Sequence, residues 1–285
     1  MTIESKGEIY IVMAASLWGT YGVTYKQGVN AGCDKWTLIV LRPLLAGLII
    51  LVFMVISKKN LIGKWSFLVG LGGLAPLYIT YPLAVKEIGV GLAAVLLYTA
   101  PIWVTMLSPL LGEKPAIASI IGSFAGFLGV ILIFSPNAVL SGTTTIGILL
   151  GLGAGISYAA YIVFARTAKR YGSSTSEASL GAVVVSAIPV TLIAIPNHVP
   201  TGLEFVYGSY LAIGATIIPY LLHVHGLGKV EASKASVLSL IEPVIAIVLG
   251  VLLFEEEWRR VQWIGAALIL ISGFLVIRQD DQRTG

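Results

Sequence analysis

One carboxylate, Glu242, lies deep inside a long apolar segment and directly before Pro243. A charged side chain at the centre of a bilayer costs about 2.5–3.5 kcal/mol even on insertion-based scales, so it needs a partner or a task. Pro243 lacks a backbone N–H and therefore frees a carbonyl on the preceding turn. These features make Glu242 a candidate to bind a substrate amine or to carry a proton. The alternative is that it bonds neighbouring helix backbones and never meets a substrate.

Aromatic and hydroxyl side chains recur at spacings of three or four residues in several apolar segments, which places them on one helix face. Facing inward, they would line an aromatic, moderately polar cavity that holds a ring or an organic cation. For any single residue, ordinary helix packing is the alternative. The candidate substrate-binding residues are Trp18, Tyr21, Tyr78, Tyr81, Tyr98, Trp103, Tyr158, Tyr161, Tyr220, His223, Ser239 and Glu242.

Three other ionisable residues lie in apolar segments. His223 and His225 would bind and release protons if they titrate, or form hydrogen bonds at a helix interface if they do not. Arg42 would attract a carboxylate, but its long side chain also reaches a membrane interface easily, and we favour snorkelling or a structural pairing. Glu113 and Glu255 end apolar segments and are predicted to pair with loop donors or to cap a neighbouring helix.

The elements that position these residues are apolar segments of about 20 residues, long enough to cross ~30 Å of hydrocarbon. The chain of 285 residues is 57% hydrophobic and 11% charged, whereas an ordinary soluble domain is about 25% charged. We predict an all-α integral membrane protein whose closely spaced spans leave no room for a soluble domain. Its ten predicted spans are residues 8–27, 35–57, 64–86, 89–111, 116–135, 146–166, 175–196, 207–228, 232–254 and 260–278.

The distribution of basic residues orients these spans. Twelve Lys and Arg residues fall on one side: Lys6, Lys58, Lys59, Lys64, Lys114, Arg166, Lys169, Arg170, Lys229, Lys234, Arg278 and Arg283. Five fall on the other side: Lys26, Lys35, Lys86, Arg259 and Arg260. Because cytoplasmic loops carry the excess of basic residues, we predict both termini in the cytoplasm and location in the plasma (inner) membrane.

Prolines and glutamates, which are rare in apolar segments, align between the two halves of the chain and indicate an internal repeat. A shift of 142 positions lays Pro101 over Pro243 and Glu113 over Glu255, and a shift of 143 lays Pro76 over Pro219. The predicted halves are residues 1–140 and 141–285, each with five spans. An odd number of spans makes the second half enter from the opposite face, so the repeat is inverted, as in many secondary transporters. Helix breaks are predicted at Pro76, Pro101, Pro219 and Pro243.

Five sequence motifs carry a resemblance to a known family: LWGTYGV (17–23), LRPLLAG (41–47), VLLYTAP to LLGEK (95–114), ISYAAYIVFAR (156–166) and SVLSLIEPVIAIVLGVLLFEE (236–256). They resemble the ten-helix, EamA-type exporters of the drug/metabolite transporter superfamily over nearly the whole chain. The resemblance implies two inverted five-helix repeats around a central cavity, and export of amino acids or similar metabolites. Tyr158 departs from the family pattern, which often has a tryptophan there.

The sequence disfavours other classes. We find no HExxH, no GxSxG and no cysteine beside a base, so an intramembrane enzyme is disfavoured. Ten unlike spans offer no repeated filter, which disfavours a channel. We expect no cofactor, no metal and no nucleic-acid partner. The prediction is a secondary transporter that exports a small-molecule substrate, with amino acids, including aromatic ones, favoured and proton coupling open. A multidrug or organic-cation exporter of the same fold is the alternative.

Overall fold

The computed structural model describes residues 3–135, 144–193, 198–255, 257 and 259–284. Within these ranges the protein is helical and has no strand, which confirms the predicted all-α class. The helices of the first half of the chain are α1 (Ile3–Asn30), α2 (Lys35–Ser57), α3 (Lys64–Val69), α4 (Ala75–Leu97), α5 (Ala100–Leu107) and α6 (Ile117–Phe134). Those of the second half are α7 (Thr145–Arg170), α8 (Ala182–Ile193), α9 (Gly202–Ala212), α10 (Ile218–Leu227), α11 (Ala232–Leu238), α12 (Ile241–Phe254) and α13 (Arg260–Thr284).

Seven helical segments of the described chain are long and apolar enough to cross a membrane: Lys35–Ser57, Lys64–Leu111, Ile117–Phe134, Thr145–Arg170, Gly202–Leu227, Ala232–Phe254 and Arg260–Arg278. The shorter segment Glu177–Ile193 is also apolar. Helix α1 is long enough to cross, but its Trp, Tyr, Gly and Thr residues make it less apolar than the seven. The predicted boundary between halves, at residues 140 and 141, and the end of the span predicted at 175–196 lie outside the described residues.

Short irregular turns interrupt the long helices. A π-helical turn, Gly70–Leu74, joins α3 to α4, and a second, Ile213–Ile217, joins α9 to α10. Pro76 and Pro219 follow these turns at the second position of α4 and α10, and each lacks the N–H that would continue the helical hydrogen bonding. A third π-helical turn, Glu177–Gly181, precedes α8.

Two further helix breaks lie deep in the molecule. The chain leaves helical pairing between α4 and α5, and again between α11 and α12. Pro101 and Pro243 lie in the first turns of the helices that restart, α5 and α12. Gly89 adds a sharp bend within α4, because its φ of 76° lies in the left-handed region that favours glycine.

The helices of the two halves pack against each other rather than forming separate bundles. Helix α1 packs on α10 and α12, α2 on α8 and α9, α4 along α7, and α6 along α13. The α6–α13 contact is tight, because a Cβ on Gly129 would lie 2.6 Å from the carbonyl oxygen of Gly265. Small residues let helix backbones approach this closely in membranes. The core is therefore an interface between the halves.

Contacts between loops and helix ends group into two opposite ends of the bundle. At the end that holds the N-terminus, Ser66 Oγ donates to the carbonyl of Glu177 (3.0 Å). At the opposite end, the backbone N–H of Asp34 donates to Glu204 (2.9 Å), and Gln262 donates to the carbonyl of Ile133 (3.1 Å). We call these the N-terminal end and the far end.

Candidate functional site

A cavity of about 110 Å³ lies between α1, α2, α4, α7, α10 and α12. Its wall is mostly aromatic and apolar, with one acidic and one basic side chain. The lining residues are Trp18, Tyr21, Ile39, Arg42, Pro43, Leu77, Tyr78, Tyr81, Pro82, Leu97, Tyr98, Tyr158, Tyr220 and Glu242. Helices from both halves of the chain contribute, so the cavity lies at the interface between them.

Eight of the residues singled out from the sequence line this cavity: Trp18, Tyr21, Tyr78, Tyr81, Tyr98, Tyr158, Tyr220 and Glu242. Helical spacing explains why they meet. Trp18 and Tyr21 lie three residues apart on α1, and Tyr78 and Tyr81 lie three apart on α4, so each pair shares a face. The Trp18 ring packs edge-on against Tyr220 at 5.1 Å and Tyr158 at 6.1 Å between centroids.

Three other candidates form a buried layer beside the cavity, toward the N-terminal end. The Tyr161 hydroxyl and His223 Nδ1 are 2.9 Å apart, and His223 Nε2 lies 3.2 Å from Ser239 Oγ. Tyr161 stacks on Tyr158, with centroids 6.2 Å apart. Tyr161 and His223 are 0% exposed, so they support the cavity wall without forming its surface. The other histidine considered, His225, packs edge-on against Tyr10 instead.

The structure does not bring Trp103 to the cavity. Its indole N–H donates to Thr99 Oγ1 (3.1 Å), one turn earlier on the same helix, and its ring packs against the hydrophobic core. Hydropathy places Trp103 in an apolar segment but carries no information on how α5 is rotated about its axis. The prolines Pro76, Pro101, Pro219 and Pro243 do not line the cavity either; they lie at helix restarts beside it.

For Arg42 the sequence favours snorkelling or a structural pairing, and the structure shows a structural pairing. The structure shows the side chain directed inward. Its Nε donates to Thr216 Oγ1 (2.8 Å) and its Nη2 to the carbonyl of Ala215 (3.1 Å), both in the π-helical turn before α10. The guanidinium carbon lies 4.4 Å from the ring centre of Tyr21 and 5.0 Å from that of Tyr78. The available signal was an arginine inside an apolar segment, which often marks function.

Glu242 occupies the first turn of α12, directly after the helix break. The positive end of a helix dipole stabilises a carboxylate there. The side chain interacts electrostatically with Arg42 and with the Tyr98 hydroxyl. Gly19 of α1 makes room for this turn, because a Cβ at that position would lie 2.8 Å from the carbonyl oxygen of Glu242.

Buried ion pairs join the two halves at the N-terminal end. Lys234 of α11 is 2% exposed and pairs with Glu8 of α1. Arg166 of α7 pairs with Glu113, and its Nη1 donates to the carbonyl of Leu227 (2.6 Å). Glu113 also accepts the backbone N–H of Ala232 (2.9 Å) at the start of α11. The predicted pairing and capping role of Glu113 is therefore what the structure shows.

No group of three or more His, Cys, Asp or Glu side chains that would hold a metal ion occurs in the part of the chain that the structure describes. The polar groups that line the cavity are one carboxylate, one guanidinium, several phenol hydroxyls and an indole N–H. Such a set binds a small polar molecule by charge, hydrogen bonding and ring contacts.

Comparison with known proteins shows which sequences and structures this chain resembles. A sequence model described as the EamA-like transporter family matches residues 5–135 and 145–278. An uncharacterized transporter of Archaeoglobus fulgidus is 30% identical over 276 residues, covering 96% of this chain and 97% of its own. The uncharacterized inner membrane transporter YicL of Salmonella typhimurium is 26% identical, covering 98% and 97%. A solved crystal structure with 21% identity has a TM-score of 0.81, covering 95% of this chain and 96% of its own.

Proposed function

The chain belongs to the EamA-like transporter family and is a multi-pass membrane transporter, and we propose that it is a secondary transporter that exports small zwitterionic or cationic metabolites by alternating access. The favoured substrates are amino acids, including aromatic ones. The observation that carries this proposal is the cavity itself, where Glu242 lies among aromatic rings from both halves of the chain.

We propose ten membrane crossings. The segment Lys64–Leu111 has 48 residues, so as one straight helix it would be about 72 Å long at 1.5 Å per residue, more than twice the ~30 Å hydrocarbon core. The bend at Gly89 supports two crossings in this segment. Helix α1 and the segment Glu177–Ile193 supply the remaining two crossings. This assignment agrees with the grouping of loops into two ends.

We also propose that the halves 1–140 and 141–285 are inverted repeats. Each half has a π-helical turn followed by a proline at the second position of the next helix, Pro76 or Pro219. Each half also has a central break before a second proline, Pro101 or Pro243. The two stretches that match the family model fall within these halves. Paired helix breaks of this kind mark substrate sites in many transporters.

The chemistry of the cavity supports this substrate class. A substrate ammonium would be stabilised by Glu242 and by the faces of the surrounding rings through cation–π contacts. Ring contacts also favour an apolar or aromatic side chain, each adding about 0.5–1.5 kcal/mol. Phosphorylated substrates would call for a cluster of Lys and Arg. In the described chain, the cavity offers only Arg42.

The ion pairs at the N-terminal end support alternating access. They join α1 to α11 and α7 to the α5–α6 connection, and we propose that they close the cavity on that side. Lining residues such as Ile39 and Pro82 extend the cavity toward the far end. We propose that the N-terminal end is cytoplasmic, so that this conformation faces outward. Export then requires these pairs to open and reclose in each cycle.

A substrate panel in proteoliposomes tests the proposed function. Purified protein is reconstituted, and flux of a labelled aromatic amino acid is measured with and without a pH gradient, against unlabelled competitors. We expect amino acids and related amines to compete, and phosphorylated sugars and nucleotides not to compete. Competition by phosphorylated compounds alone would refute the proposal. Competition by bulky organic cations alone would favour the multidrug alternative.

A further inference from the structure

The guanidinium of Arg42 is fixed in place inside the bundle. Two hydrogen bonds tie it to the π-helical turn before α10, through Thr216 and the carbonyl of Ala215. The rings of Tyr21 and Tyr78 flank it at 4.4 and 5.0 Å. A guanidinium with fixed orientation presents its remaining N–H groups in a defined direction. The cost of ordering this side chain is met by the fold before any ligand binds.

Several donors at this position have no acceptor. Arg42 has five N–H donors, and its hydrogen bonds to described residues leave both N–H groups of Nη1 and one of Nη2 unpaired. The Trp18 indole N–H, on a residue only 5% exposed, also has no partner among the described residues. Both side chains line the cavity. A buried donor without an acceptor is uncommon in folded proteins, so the Trp18 N–H points to a ligand oxygen. The unbonded N–H groups of the half-buried Arg42 line the same cavity and are available to the same ligand.

Glu242 lines the same cavity, and no ion pair between it and Arg42 is formed among the described residues. Both groups are held by other parts of the fold, Arg42 by the π-helical turn and Glu242 by the first turn of α12. Two opposite charges that share one cavity without pairing present a positive and a negative pole to anything between them. A free zwitterion has the complementary arrangement.

We propose that Arg42 binds the carboxylate of the substrate while Glu242 binds its ammonium, so that the site selects α-amino acids over amines with the same side chain. This inference rests on the proposed function and sharpens it. The planar guanidinium matches a carboxylate through two parallel N–H···O bonds, which an ammonium group would not provide. The aromatic wall then contacts the side chain of the amino acid.

Arg42 also braces the π-helical turn, and the experiment has to separate this structural role from substrate recognition. Loss of the brace would weaken binding of every ligand by a similar factor. Loss of carboxylate recognition would weaken only ligands that carry a carboxylate. The ratio of affinities for an amino acid and its decarboxylated amine is therefore the informative quantity.

The first measurement uses the unaltered protein. Binding of L-phenylalanine, phenethylamine, L-phenylalanine methyl ester and 3-phenylpropionate is measured by competition in nanodiscs, with L-leucine and isopentylamine as a second pair. Because a hydrogen bond to a charged group contributes about 1.5–3 kcal/mol, the free amino acid should bind roughly ten-fold to hundred-fold more tightly than the amine or ester. Equal affinity for amino acid and amine would overturn the inference without any variant.

The second measurement uses Arg42→Gln and Arg42→Lys, with Arg260→Gln at the exposed start of α13 as the matched control. In Arg42→Gln, phenylalanine affinity should fall roughly ten-fold or more while phenethylamine affinity stays within about three-fold. Arg42→Lys keeps the charge but loses the planar fork, so its ratio should lie between the two. Arg260→Gln should keep the ratio of the unaltered protein.

The outcomes separate this inference from the proposed function. If amino acids bind and Arg42→Gln weakens phenylalanine and phenethylamine equally, the carboxylate role is refuted and the transporter proposal stands. If neither phenylalanine nor leucine binds the unaltered protein, both are refuted. Should Arg42→Gln fail to fold, the Arg42→Lys ratio and the ester comparison on the unaltered protein still decide the question.

Discussion

Glu242 places a carboxylate inside an apolar helical segment, Ala232–Phe254, that is long enough to cross a membrane. The carboxylate is surrounded by protein yet lines a cavity, with the start of α12 and the Tyr98 hydroxyl beside it. A charge in that setting is stabilised by fixed dipoles and remains available to a ligand. The rarity of a carboxylate so deep in an apolar segment is why the sequence alone identified it.

Replacing Glu242 by Gln should reduce transport of amino acids at least ten-fold while the protein stays folded. Gln keeps the shape but loses the negative charge that binds an ammonium, and an interaction with a charged group is worth about 1.5–3 kcal/mol. Flux in proteoliposomes and monodispersity on gel filtration measure the two effects. Glu87→Gln, at an exposed position away from the cavity, is the control. Normal flux for Glu242→Gln at every pH tested would assign Glu242 a structural role only.

Whether a residue lines the cavity depends on the direction of its side chain as well as on its depth in an apolar segment. Tyr78 and Tyr81 reached the cavity because two hydroxyl-bearing rings on one face had to avoid lipid. For Arg42 the choice between snorkelling, structural pairing and carboxylate binding stays open in the sequence, because hydropathy reports depth along a span and not whether a long side chain turns inward. Trp103 was included for its depth, but its face of α5 packs into the core and bonds to Thr99. No sequence feature fixed those rotations.

Among the helices, those that are interrupted position the charged residues of the cavity. Glu242 is placed by the break before α12, and Arg42 is placed by the π-helical turn before α10. The prolines predicted these breaks, because a proline within a helix removes a hydrogen bond. Pro76 and Pro219 mark where two π-helical turns end, but they do not predict the π-helical geometry, which depends on how α3–α4 and α9–α10 pack against other helices.

Substituting Gly19 by Ala should push α1 away from α12 and destabilise the protein. A Cβ at this position would lie 2.8 Å from the Glu242 carbonyl oxygen and from Ile245 Cβ. Overpacking of this kind costs about 1–3 kcal/mol. Gly22→Ala, on the same helix with open space around its Cβ position, is the matched control. Thermal unfolding and amino-acid flux are measured, and equal behaviour of the two variants would contradict the close approach.

Loss of one ion pair at the N-terminal end should shift the protein toward a conformation that is open at that end. Glu8→Gln weakens the contact of α1 with Lys234, leaving a buried lysine without its carboxylate partner Glu8. Spin labels at Lys6 and Arg170, both exposed at this end, report the change by pulsed electron resonance. We expect a longer or broader distance distribution than in the Glu87→Gln control. Identical distributions would show that this pair does not hold the cavity closed.

The whole molecule is two interlocked sets of helices rather than two domains. The sequence predicted the seven long apolar segments of the described chain, because the length and hydropathy of a segment reflect bilayer thickness. It did not predict that α4 would lie along α7 or α6 along α13. Those pairings rest on close fits such as Gly129 against Gly265, which single-sequence patterns do not specify. Motion between the halves would therefore involve most of the core.

Cysteine labelling tests the proposed orientation. A cysteine at position 201, at the far end, should react with an impermeant maleimide added outside intact cells. One at position 174, at the N-terminal end, should react only after permeabilisation. The native Cys33 interferes little, because burial, together with the Glu204 carboxylate, raises the pKa of its thiol and a protonated thiol reacts slowly. Labelling of position 174 alone from outside would reverse the orientation.

Counterflow of labelled L-phenylalanine in proteoliposomes is the most direct test of the central claim, that the cavity of Glu242 and aromatic rings carries an amino acid across the membrane. Vesicles are loaded with unlabelled phenylalanine and diluted into labelled phenylalanine. We expect transient accumulation of label that saturates with concentration, is competed by related amino acids and is lost in Glu242→Gln. Absence of counterflow for phenylalanine and every competing amino acid tested, with protein shown to be folded, would contradict the account.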